Sequence, residues 1–244
     1  MQTNQAQRLA APAQCLRHLK GTLAQGLMAL LLLSACSAPP PAPGSAASRA
    51  PPAPGAQRYL IDGERSEVLI WVSRDGPLAE LGHNHIIEVA DLSGEVWLAP
   101  ELQRSVFSVR FPVAALRLDE PARRAQQGSG YEETLSEEDV AGTRAHMLDA
   151  ALLDGANYPE IELDSESISK ADSGWIAHAA IRVRAHSAHI DVPVQLESAT
   201  GQVILSGQFT VTHAALGLVP HSALLGSLRV AQALRIRFHI IARR

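Results

Sequence analysis

Near its C-terminal end the chain reads Leu234, Arg235, Ile236, Arg237, Phe238, His239, Ile240, an alternation of apolar side chains with cationic or polar ones. In an extended strand successive side chains point to opposite faces, so Leu234, Ile236, Phe238 and Ile240 share one face while Arg235, Arg237 and His239 take the other. One dry face and one wet face is the pattern of an antiparallel sheet folded over its own core. The same period recurs where Phe107, Val109, Phe111 and Val113 alternate with Ser108, Arg110 and Pro112. Looser alternation runs through 92–98, 160–168, 175–184, 189–196 and 203–212, and Val68 to Val72 is a continuous apolar strand. About ten such segments, divided by Gly, Asp, Ser or Pro and not by helices, exclude a doubly wound parallel sheet. One helix interrupts them: Ser136 is placed as an N-cap, Glu137, Glu138 and Asp139 suit the first turn, Val140, Met147, Leu148, Ala151 and Leu152 recur at helical spacing, and Gly155 is a natural stop. The fold class predicted is mainly all-β, an antiparallel barrel of about eight to ten strands with one inserted helix, because closure is the simplest way for so long a sheet to remove its edges.

With 244 residues, 46% of them hydrophobic, the chain can bury a full core. Its formal net charge is −4, and Arg8, Arg17 and Lys20 all precede Cys36 in a stretch with no acid. The remainder is more acidic still, which argues against nucleic acid as a partner. Cys15 and Cys36 are the only cysteines, so the strand-rich region has neither disulfide nor thiolate.

The first 56 residues read as an address and a tether. Arg17, His18 and Lys20 precede an apolar run from Leu27 to Leu33, too short to span a bilayer, in the order of a secretory signal. The run ends in Leu33, Ser34, Ala35, Cys36, which resembles the bacterial lipoprotein signal. That resemblance implies a signal peptide over 1–35, acylation of Cys36, and a protein on the periplasmic side of the cell envelope. Ser37 after the cysteine favours the outer membrane. Residues 36–56, rich in Pro, Ala, Ser and Gly, form the spacer, and the barrel domain occupies 57–244.

The most distinctive chemistry lies in Leu81, Gly82, His83, Asn84, His85, Ile86, Ile87, where an extended backbone would turn His83, His85, Ile87 and Val89 to one face. Two imidazoles are too few for a closed metal site, and the candidate partners are His213 and His221, which flank an apolar loop, His178, or the pair His186 and His189. The other readings are backbone hydrogen bonding and a polar rim facing a ligand. The acids from Glu132 to Asp139 read as a helix cap and solvated surface, and Ser129 lacks the strand-to-helix elbow of a hydrolase nucleophile. Arg182, Arg184, Arg235 and Arg237 read as outward-facing charges, or as lipid-phosphate ligands should the barrel close with that face inside.

Several segments together resemble the YceI-like family of periplasmic polyisoprenoid-binding proteins with a lipocalin-like barrel. They are Tyr59, Leu60, Ile61, Asp62 with Ser66 and Val68; Phe111, Pro112, Val113 followed by a helix and Tyr158, Pro159, Glu160, Ile161; and Gly207, Gln208, Phe209, Thr210, Val211 followed by Leu216, Gly217, Leu218 and the last strand. The chain departs from the family where an arginine and an aspartate commonly stand, reading His213 and Ala215, and where a turn glycine is missing near Arg184 and Ala185. The resemblance implies a membrane-tethered, non-enzymatic protein that needs no cofactor beyond a bound isoprenoid or similar lipid. The expected lining is Trp71, His83, His85, Ile87, Val89, Trp97, Phe107, Phe111, Ile181, Phe209 and Phe238. The alternative is a metal- or haem-binding protein or metalloenzyme built on His83 and His85.

Overall fold

The computed structural model describes residues 51–244. The expected signal segment and acylated Cys36 lie outside these residues, as does the spacer up to residue 50. The strands are β1 (Gln57–Ile61), β2 (Glu67–Asp75), β3 (His85–Val89), β4 (Ser93–Leu98), β5 (Val106–Pro112), β6 (Leu116–Leu118), β7 (Glu160–Lys170), β8 (Trp175–Val183), β9 (His186–Ala199), β10 (Gln202–Thr212), β11 (Ser222–Ala223) and β12 (Leu228–Arg243), with helices α1 (Pro121–Arg124) and α2 (Glu137–Leu148). Eight strands close in the order β1, β4, β5, β7, β8, β9, β10, β12 and back to β1, with every pairing antiparallel. The fold is the expected all-β barrel with an inserted helix.

The alternating strand at the C-terminal end, β12, joins the two parts of the sheet. Along one edge it pairs with β10 from Thr212↔Ala233 to Gln202↔Arg243. Along the other it pairs first with β2, through Val72↔Leu234, Ile70↔Ile236 and Val68↔Phe238, and then with β1 at Ile61↔Ala242. Ser66 bridges the break between β1 and β2: its hydroxyl donates to the Asp62 carbonyl at 2.7 Å and accepts from the Ile241 N–H at 3.0 Å. From β2 the sheet continues through β3 to β6. Leu234, Phe238 and Ile240 are buried within the barrel, and Arg235, Arg237 and His239 are exposed.

Gly207 shows how tightly the interior is built. It pairs with Phe238 in the β10–β12 register, and a Cβ there would lie 2.1 Å from the Pro193 carbonyl oxygen and 2.7 Å from the Phe238 ring. Only glycine leaves room for that ring beside the backbone.

The inserted helix is α2. Ser136 caps it, its hydroxyl accepting from the Asp139 N–H at 3.1 Å, and three acids occupy the first turn. It ends at Leu148, short of Gly155, because Asp149 turns extended. Leu152 and Leu153 still reach the core, from a loop and not from a continued helix, beside Met147. The four-residue α1 has no amphipathic run to announce it and was not expected from sequence.

Candidate ligand-binding cavity

The barrel encloses a cavity of about 480 Å³, within the range of small-molecule sites. Among the described residues its wall contains no Asp, Glu, Lys or Arg. Ile87, Val89, Phe107, Phe111 and Ile181 lie on it, as do Phe209 and Phe238, whose rings meet edge to face at 6.4 Å between centroids. Phase explains these placements: each falls on the inward repeat of its strand.

Two expected lining residues face the other way. Trp71 lies on the outer face of the sheet, buried there opposite Arg235 in the β2–β12 register, with the Arg235 and Arg237 guanidinium carbons 4.4 and 5.2 Å from its ring centroid and its indole N–H donating to Gln127 Oε1 at 2.9 Å. A continuous apolar run gives no phase, and here Val68, Ile70 and Val72 take the inside while Leu69, Trp71 and Ile86 form a separate outer cluster under Tyr131. Trp97 likewise lies outside, beneath Arg58 at 5.7 Å, while Val96 and Leu98 line the cavity. In compensation Trp175, which sequence reasoning passed over, is on the wall. The arginines behave as surface charges: Arg182 pairs with Glu162, Arg237 with Glu67, and Arg184 donates to the Leu152 carbonyl.

The LGHNH stretch divides between wall and surface. The strand begins at His85, so His83 lies in the preceding connection and off the wall. There His83 Nδ1 donates to Glu133 at 3.0 Å. The Asn84 side chain accepts from the Arg74 N–H and donates to the Gly130 carbonyl. His85 reaches the cavity with its ring, and its Nδ1 donates to Asp119 Oδ2 at 2.6 Å. Asp119, its side chain fully buried, also accepts from the Ile86 N–H at 3.0 Å and from the buried Arg124 at 2.8 Å. Burial pushes the Asp119 carboxyl up, but hydrogen bonds from His85, the Ile86 backbone and Arg124 outweigh it and hold the group below its ordinary range. Asp119 sits at φ +53°, a left-handed conformation that aspartate tolerates, which turns β6 into α1 and aims the carboxylate back at β3. No local signal marked Arg124 as buried, since Pro121, Ala122, Arg123, Arg124 reads as surface.

The imidazoles gather at one end of the cavity. Besides His85, the wall includes His146 from α2, His213 after β10 and His221 before β11, along with Thr143. The His146 and His221 rings stack at 5.5 Å. Sequence spacing paired His213 with His221 but gave no sign of His146, which a helix delivers across the fold. His213 is 5% exposed, its Nδ1 donating to the Gln232 carbonyl at 3.2 Å, and burial pushes its pKa down. Among the described residues no three His, Cys, Asp or Glu side chains converge as a metal site would require. His178, His186 and His189 are held apart on Asp191, the Ala215 carbonyl and Glu166.

No protein-family model and no curated protein matches the chain. Solved structures do. BcnA from Burkholderia cenocepacia superposes with a TM-score of 0.55 at 13% identity, over 74% of this chain and 98% of that one. A polyisoprenoid-binding domain from Saccharophagus degradans, implicated in plant cell wall breakdown, gives 0.50 at 12% identity over 76% and 97%. The chain shares the fold of these two proteins. A Campylobacter jejuni YceI protein is also similar, with a TM-score of 0.48 at 10% identity over 65% of this chain and 84% of that one. Such identities speak for the barrel, while the character of the cavity is this chain's own.

Proposed function

We propose that this protein is a non-enzymatic carrier that holds a polyisoprenoid or similar long apolar chain in its barrel, tethered to the periplasmic face of a bacterial outer membrane through an acylated Cys36. The observation that carries the reading is the cavity wall, apolar except at its histidine end and, among the described residues, without Asp, Glu, Lys or Arg. An apolar chain enters such a space for about 0.8 kcal/mol of gross stabilisation per buried methylene, with no catalytic group required. The polyisoprenoid-binding domain of the same fold supports a lipid as the occupant.

The histidine end of the barrel supports a lipid surface as the working environment. Val219, Leu224 and Leu225 are exposed there, with Leu78 and Leu81 beside the same turn through the Leu78 N–H to Ser227 carbonyl bond. Leu224 and Leu225 hold left-handed backbones at φ +50° and +55°. Leucine pays roughly 1 kcal/mol for each such conformation, so an exposed pair is a strained way to build a turn and a suitable way to present two apolar side chains outward.

The test is a titration of delipidated protein with prenyl chains of increasing length. Affinity rising steadily with each added unit until the cavity is filled supports carriage, whereas affinity independent of length contradicts it. For the anchor, Cys36→Ser should release the protein from membranes.

A further inference from the structure

Resting on the lipid-chain reading, we infer that the bound lipid carries a neutral hydroxyl at one end, seated among the cavity histidines and donating its hydrogen to His213, and does not carry a phosphate or other anion. Three observations lead there. First, the polar side chains of the wall are concentrated at the end formed by His85, His146, His213, His221 and Thr143, so an amphiphilic chain has one end where a polar group finds partners. The opposite end offers Ser105, whose hydroxyl already accepts from the Ala99 N–H.

Second, the His213 tautomer is set by its backbone bond. A carbonyl can only accept, so the Gln232 bond favours the hydrogen on Nδ1, and in that neutral tautomer Nε2 is an acceptor. Burial lowers its pKa, which favours the neutral ring. Its complement is a donor, which an alcohol or phenol supplies and which an ether, a carbonyl or a phosphate oxygen does not. His85 also directs its Nδ1 away from the cavity, at Asp119.

Third, among the described residues no Lys or Arg stands on the wall to neutralise an anion. The nearby cations are engaged elsewhere: Arg124 with Asp119 and two backbone carbonyls, Arg74 with Glu80 and the Gly82 carbonyl, and Arg229 with Asp75. A diphosphate drawn into the cavity end would lose its hydration with no charge in return.

The experiment compares four probes of one chain length on the full protein: geranylgeraniol, its methyl ether, its diphosphate, and the headless hydrocarbon. The inference expects the alcohol to bind about fivefold more tightly than the ether and on the order of a hundredfold more tightly than the diphosphate. In His213→Leu the preference for alcohol over ether should vanish while the hydrocarbon still binds, which shows the barrel intact. Equal binding of alcohol and ether to the unsubstituted protein, or tighter binding of the diphosphate, overturns the inference and leaves the apolar-chain reading standing. Failure of all four probes overturns both. Should His213→Leu not fold, the comparison on the unsubstituted protein decides alone.

Discussion

His85 Nδ1 lies 2.6 Å from Asp119 Oδ2, and the same carboxylate receives the buried Arg124. This contact ties the first turn of β3 to the corner where β6 enters α1, and so fixes one histidine at the cavity. Removing the carboxylate leaves the guanidinium buried without its counter-charge. Asp119→Ala should therefore destabilise the fold by about 3–5 kcal/mol, read from urea unfolding. A loss below about 1 kcal/mol would mean that the network is incidental.

The same group predicts a pH dependence. Asp119 has a native pKa below its unfolded value, so the stability it contributes is fully present above the ordinary carboxylate range and is lost as pH falls through the native value. Unfolding midpoints measured from neutral pH downward should fall in that acidic window for the unsubstituted protein. Asp119→Asn, less stable at neutral pH, should show a shallower decline.

Gly207 faces the Phe238 ring and the Pro193 carbonyl with no room for a methyl group. Gly207→Ala should destabilise by about 1–3 kcal/mol through overpacking and should also disturb ligand uptake, because Phe238 is part of the wall. Thermal unfolding and probe binding on the same sample check both effects.

Leu225 is fully exposed and left-handed. Leu225→Gly should raise stability by about 1 kcal/mol, since little contact is lost and the strain disappears. If the tip meets a lipid surface, the same substitution should weaken binding to phospholipid vesicles. A stabilised variant with unchanged vesicle binding would remove the membrane role of the tip.

Ala177 is buried on the cavity wall in β8. Ala177→Phe should fill part of the space, weakening prenyl-chain binding by at least about tenfold with the urea midpoint maintained. Unchanged binding would place the ligand elsewhere.

The barrel was legible where the side-chain period was clean. In β12, three outward polar residues set the phase, and Leu234, Ile236, Phe238 and Ile240 all fall inside. In β2 the run Val68 to Val72 has no polar residue to set it, and Trp71 was expected within although Arg235 and Arg237 cover it outside. Size and hydrophobicity do not distinguish a core tryptophan from one roofed by arginines. Helical spacing around Ser136 located α2 but overran its end, because Leu152 and Leu153 pack from a loop as well as from a helix. The histidine end was half visible. Imidazoles at 83, 85, 213 and 221 stand out in the sequence, but which reach the cavity depends on partners more than thirty residues away, as Asp119 is from His85. Arg124 and His146 carried no local signal, since their placement exists only in the closed fold.

Occupation of the barrel by an isoprenoid chain is open to direct measurement. Its most direct test is mass spectrometry of an organic extract from the full-length protein purified without detergent exchange. About one equivalent of a long-chain isoprenoid is expected, its polar end a hydroxyl. An extract without lipid, from protein that also fails to take up a prenyl chain after delipidation, would contradict it.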